Sequence, residues 1–128
     1  MAPFKVWDVV KLPFPYTDRP VRQRRPALVV CAGEMLETAG LIWVMMITSA
    51  ENRAWECDVQ IHEEEAGLPA PSLVRTWKIA CIDAKDAELL GRIKTKNHRE
   101  LIANSIETRF RLLSDLERPS PENHETKS

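Results

Sequence analysis

Apolar and polar positions follow two regimes along this chain. Up to Asp83 the apolar residues come in short runs, one with a period of two, whereas beyond Asn97 they recur every three or four positions. Short runs rich in β-branched and aromatic residues predict strands, and the longer recurrence predicts a helix. Residues 6–12 read as a first strand closed by Pro13, which cannot donate to a central ladder. Residues 27–31 and 41–48 are near-continuous apolar runs separated by GEMLETAG, the pattern of strands buried on both faces. Cys57, Val59 and Ile61 alternate with Asp58, Gln60 and His62, as in a half-buried strand. AGLPAPS reads as a turn-rich connection, and residues 72–83 as a further strand with a break in it. Asn97 followed by Glu100 predicts a helix cap, and Ile102, Ile106, Phe110 and Leu113 form one apolar stripe behind it. The sum is a mainly β single domain over 1–113, a small antiparallel barrel or open roll with a C-terminal helix packed on it. Residues 114–128 are polar and proline-containing and read as a flexible tail.

One segment fits neither regime. Residues 13–26 contain four prolines and no apolar period, so they predict a long, partly stiff connection. A loop of that length between two strands exceeds an ordinary hairpin and is the kind that carries function. It holds Arg19, Arg22, Arg24 and Arg25.

Composition adds limits. At 128 residues, 44% hydrophobic and 29% charged, the chain reads as one ordinary globular domain. Its longest apolar run, residues 41–47, is far below the ~20 residues of a membrane span. The N-terminus has no secretory pattern, and Cys31, Cys57 and Cys81 are single and widely spaced. These cysteines predict neither a disulfide framework nor a zinc site but small reduced core residues, and hence a cytoplasmic protein. The net charge of -1 argues at first against a polyanionic partner. By segment it is uneven: residues 1–30 carry six basic and two acidic residues, residues 51–65 one and six, and residues 75–113 nine and five. Two basic stretches are thus masked by an acidic one, a distribution that marks interaction faces and solvated faces alike.

Nucleotide fingerprints and nucleophile elbows are absent, with only four glycines in the chain. His62, His98 and His124 fall in separate polar contexts, and HEEE at residues 62–65 reads as a solvated turn because adjacent side chains do not converge on one ion. No metal and no cofactor are expected.

Three blocks in order carry a resemblance. They are DVVKLPFPYTDRPVRQRRPALVV, then VMMITSA, then SLVRTWKIACID. Together they resemble the PemK/MazF family of toxin endoribonucleases from type II toxin–antitoxin pairs. The family's opening G-D-V strand is present except that Trp7 stands in the glycine's place before Asp8 and Val9. R-P-A-L-V-V follows at residues 25–30, Ile47, Thr48 and Ser49 match the I-T-S strand end, and Arg75, Lys78, Ile82 and Asp83 match the later strand. The likeness runs from about Val6 through the terminal helix.

The resemblance implies an SH3-like barrel that dimerises, cuts single-stranded RNA without a metal, and is covered by an antitoxin segment. In that reaction the ribose 2′-OH attacks its own phosphate, leaving a cyclic phosphate and a 5′-OH. It places Arg25 where a bidentate cation stabilises charge building on the nonbridging oxygens, and Thr48 as the strand-end hydroxyl at the scissile phosphate. Arg24, Ser49, Arg75 and Lys78 join them as substrate contacts, with Arg19 and Asp18 from the long loop. An arginine stays protonated and is a poor general base. Some relatives carry an acid where this chain has Trp77, so Asp18 or Glu51 is left as the proton acceptor, or charge stabilisation acts alone. Trp77 is suited to stacking on an unpaired base or to a core or dimer interface. Two other functions fit the same surface: a non-catalytic SH3-like module that binds RNA or protein, and a gyrase-directed toxin of related fold.

Overall fold

The computed structural model describes residues 4–13, 23–62 and 65–117, with side chains to Arg111. Asp18, Arg19 and Arg22 of the long loop lie outside the described residues, as do residues 118–128 of the expected tail.

Six strands, β1 (Asp8–Pro13), β2 (Arg24–Cys31), β3 (Leu41–Ser49), β4 (Val59–Ile61), β5 (Ser72–Asp83) and β6 (Glu88–Arg92), form one antiparallel sheet in the order β4-β5-β3-β2-β1-β6. The sheet curls into a half-barrel, with helix α2 (Lys96–Glu117) against it, which is the mainly β class expected. The near-continuous apolar runs of β2 and β3 have the predicted cause. Val9, Leu28, Met45 and Ile47 face one core with Ile102 of α2, while Val10, Ala27, Val29 and Val44 face a second core on the other side. No helix among the described residues is long and apolar enough to cross a membrane.

Several elements differ from the sequence reading. GEMLETAG contains a short helix, α1 (Gly33–Ala39), ended by Gly40 in the left-handed conformation that closes helices. Residues 88–92, unassigned above, form β6. β2 begins at Arg24 rather than Ala27, pairing with β1 out to Pro13, so the arginine pair lies in the sheet. Helix α2 begins at Lys96, with the Thr95 carbonyl accepting from the Arg99 amide at 3.0 Å, and so Asn97 lies inside the helix and does not cap it. It also continues to Glu117, into the stretch expected as tail. Its apolar stripe is buried at Ile102 and half-buried at Ile106 but leaves Phe110 exposed. Cys57 is buried as expected, whereas Cys81 is exposed on β5.

The break expected in β5 is a wide bulge. Met45 pairs with Ile79 and Ile47 with Val74, so Arg75–Lys78 stand opposite the single residue Met46. Bulges of this kind bend a strand and re-aim its side chains. Trp7, which stands where the family pattern has glycine, has a φ of +82°, in the region that side chains disfavour by about 1–2 kcal/mol. Its backbone is held on both sides, donating to Val29 O and accepting from the Ile93 amide, and its ring packs on the core beneath Arg99.

β4 and β6 are the two edges of the sheet, and the turn after β4 bridges the gap between them. Gly67 and Gly91 make the approach possible, since a Cβ on Gly91 would lie 2.6 Å from the Ala66 carbonyl carbon and one on Gly67 2.7 Å from Leu90 O. Glu65 fastens the turn. Its Oε2 accepts from the Lys94 and Thr95 amides at 2.6 Å each, and its Oε1 meets Nδ1 of His98, a buried residue of α2. Burial pushes the Glu65 carboxyl up, but the Thr95 and Lys94 amides and His98 outweigh it and hold the group at about 2, below the ordinary 4.5. His62 and His98 therefore do not occupy separate contexts, for their ring centroids are 5.2 Å apart.

Because the folded chain resists protonation of Glu65, the stability it gives is complete above pH 4.5 and is lost as pH falls toward about 2. Glu65→Gln is expected to cost about 2 kcal/mol at neutral pH and to flatten the acid limb between those values. Urea unfolding measured from pH 7 to pH 2.5 checks this, and parallel acid limbs in both proteins would contradict it.

Candidate functional site

The β2–β3 register positions the central pair. Ala27 faces Met46 and Leu28 faces Met45, so Arg25, two residues before Ala27 on β2, and Thr48, two residues after Met46 on β3, lie at the same end of the paired strands. Both line one cleft of about 450 Å³. Lys11, Pro26, Ser49 and Ser72 also line it, together with Gly67–Ala70 and Leu90. The bridging turn held by Glu65 thus supplies a wall of the cleft.

Arg25 is half-buried, and among the described residues its one hydrogen bond is a long one of 3.4 Å from Nη2 to Gln23 Oε1. Its Nε is buried with no acceptor among the described residues. Buried donors are nearly always satisfied, so this N–H is open to an acceptor from outside the described residues. Thr48 is buried, and its Oγ1 accepts from Asn52 Nδ2 at 2.7 Å, which leaves its own proton to donate. Ser49 Oγ accepts from the Glu51 amide at 3.1 Å, which places the exposed Glu51 just beyond the strand end.

The other expected contacts lie elsewhere. Arg24 alternates to the opposite face of β2, where Nη2 donates to Lys11 O at 3.0 Å and lies 3.5 Å from Glu88 Oε1. Arg75, expected at a phosphate, is a buried clamp. Its Nη1 pairs with Asp58 at 3.0 Å, Nη2 donates to Arg53 O at 2.9 Å, and the guanidinium stacks 4.0 Å over Trp55. Side-chain exposures of 8% and 1% for the Arg75–Asp58 pair mean that removing either would bury an unmatched charge. Trp77 and the partly buried Lys78 lie on the β5 bulge, and Trp77 borders a separate pocket beside α2. The structure therefore brings together Arg25, Thr48 and Ser49 and separates Arg24, Arg75 and Trp77 from their cleft.

Lys11 and Asn52 escaped the sequence reading. Lys11 is an exposed position inside an apolar strand, a signal that was available, whereas Asn52 is recognisable only once the turn after Thr48 is folded. Among the described residues no group of three or more His, Cys, Asp or Glu is arranged to hold a metal ion.

Comparison with known proteins bears on this arrangement. Residues 5–108 match the family described as PemK-like, MazF-like toxin of type II toxin–antitoxin systems. No curated protein sequence matches the chain. Among solved structures, a MazE–MazF complex from Deinococcus radiodurans is similar with a TM-score of 0.67 at 18% identity, over 86% of this chain and 97% of that one. Mycobacterium tuberculosis toxin MazF-mt6 gives 0.60 at 19% identity, over 79% and 94%. A mycobacterial endoribonuclease in complex with its cognate antitoxin gives 0.65 at 16% identity, over 84% and 94%. At these identities the likeness to solved structures is one of fold, while the family match spans most of the sequence. The chain so matched, a curled antiparallel sheet with an arginine and a strand-end threonine on one cleft, belongs to the PemK-like, MazF-like toxins of type II toxin–antitoxin systems.

Proposed function

We propose that this toxin is a metal-independent, sequence-selective endoribonuclease that cuts single-stranded RNA. The observation that carries the reading is the convergence of Arg25 and Thr48 on one cleft, with a buried guanidinium N–H that no described protein group accepts. A phosphodiester supplies acceptors for that N–H. As the 2′-oxygen bonds to phosphorus and the P–O5′ bond breaks, negative charge grows on the nonbridging oxygens. A fixed cation stabilises that stage more than the bound substrate. Thr48, its oxygen already engaged by Asn52, donates to the same phosphate, and Lys11 and Ser49 line the approach.

The 2′-OH proton must pass to an acceptor and the departing 5′-oxygen must gain one. Arg25 cannot be that acceptor. Glu51, exposed two residues beyond Ser49, is the candidate acceptor among the described residues, and Asp18 is the candidate outside them. Arg24 and Arg75 are not assigned to substrate, since both guanidinium groups already serve the protein. The same proposal includes a homodimer acting in the cytoplasm and a cognate antitoxin whose acidic segment competes for the cleft cations, as the family resemblance implies.

Purified protein incubated with mixed-sequence RNA in EDTA is expected to cut it. Arg25→Ala should lower kcat/KM by about 100-fold or more with an unchanged melting temperature. Intact RNA at high enzyme, or cutting by Arg25→Ala at the original rate, would sink the proposal.

A further inference from the structure

Two tryptophans remain exposed beside the loop that leaves the cleft. Residues 50–58 run from the end of β3 to β4, and Asn52 near their start holds Thr48. Arg75 pins the middle of the loop through Arg53 O and Asp58, and its guanidinium supports one side of Trp55. The Trp55 ring then leans toward Trp77 on the β5 bulge, with centroids 6.3 Å apart and a 34° tilt. Arg109 of α2 lies 5.6 Å over the Trp77 ring. Despite these contacts Trp55 is 38% and Trp77 47% exposed. A pocket of about 240 Å³ opens against Trp77 and Arg109, floored by Met45, Ile106 and Phe110.

We infer that Trp55 and Trp77 form a stacking platform for an unpaired base of the RNA strand held at Arg25, a few residues of chain from Thr48. The inference rests on the reading of the cleft as an RNA site. Three observations favour a nucleobase as occupant. Both rings are backed by guanidinium groups, Arg75 behind Trp55 with its charge matched by Asp58, and Arg109 over Trp77, and the Arg109 charge suits a strand carrying phosphates. Leu73 on β5 pairs with Thr48, and the bulge that carries Trp77 stands opposite Met46, two residues or about 7 Å along β3 from Thr48. That separation puts the platform within reach of a short stretch of single strand but off the reacting phosphate. Finally, the bulge at Arg75–Lys78 presents Trp77 outward where a regular strand would have kept the pairing with β3. Glu51 and Glu56 on the loop are exposed and oppose indiscriminate polyanion binding, leaving stacking to select the strand.

The test separates binding from cutting. Mixed-sequence 2′-fluoro oligoribonucleotides lack the attacking hydroxyl and are titrated into the full chain with tryptophan fluorescence as readout. Quenching is expected, with Trp55→Ala and Trp77→Ala each weakening binding about 10-fold and Trp77→Phe largely restoring it. An abasic oligomer of equal length should bind weakly and quench little. Unchanged affinity in both alanine variants, or equal quenching by the abasic oligomer, overturns the inference. So does a shift of the alanine variants in oligomeric state with RNA affinity intact, which would make the patch a contact between copies. Cutting of natural RNA by the alanine variants at full kcat/KM leaves the nuclease reading standing and removes the platform. Tryptophan-dependent binding without cutting does the reverse.

Discussion

The carboxylate of Glu65 joins two parts of the molecule that no strand pairing connects. β4 and β6 end the sheet on opposite sides, and a curled sheet with both edges open would leave the start of α2 and the turn at residues 65–68 without fixed positions. Glu65 ties the turn to the Lys94 and Thr95 amides and to His98, while Gly67 and Gly91 let backbone meet backbone. Charge-assisted bonds from a carboxylate to the amides at a helix start are among the stronger local contacts available. Because Gly67–Ala70 also line the cleft that holds Arg25 and Thr48, the same fastening that completes the half-barrel shapes the site.

Three arginines that look alike in the sequence have three different fates, and strand geometry decides which. Arg24 and Arg25 are adjacent, so the pleat sends them to opposite faces, one bound to the β1 backbone and Glu88, the other into the cleft. Arg75 lies in the bulge and is consumed by Asp58, Arg53 O and Trp55. The segment charges divide accordingly. Part of the acidic stretch at residues 51–65 neutralises groups inside the fold, Asp58 at Arg75 and Glu65 at the helix start. The near-zero total therefore hides a local cation, Arg25, whose buried Nε has no acceptor among the described residues.

Legibility in the sequence followed the strength of the local signal. β2, β3 and the broken β5 were readable because dense apolar runs have few other uses, and the ordered blocks gave the family together with Arg25, Thr48 and Ser49. β6 was not, because Leu89 and Leu90 sit between a glutamate and a glycine–arginine pair and become a strand only by pairing with β1. The helix cap was misplaced because Asn97–Glu100 satisfied a local rule, whereas the group that anchors the helix start comes from Glu65, some thirty residues earlier. Arg75 as a clamp was equally hidden, since Asp58 is 17 residues away and only the fold brings the two together. Trp7 shows the converse: where the family pattern has glycine, this chain holds a tryptophan at positive φ, a strain that its residue type does not announce.

The central claim is that Arg25 and Thr48 hold a phosphodiester while its own ribose attacks it. Sequencing the RNA ends left after digestion tests this most directly, because the end groups record which oxygen became the nucleophile. The account predicts 5′-hydroxyl and 2′,3′-cyclic phosphate ends at a restricted set of sequences. Ends bearing a 5′-phosphate and a 3′-hydroxyl would contradict it, since water rather than the neighbouring 2′-oxygen would then have made the cut.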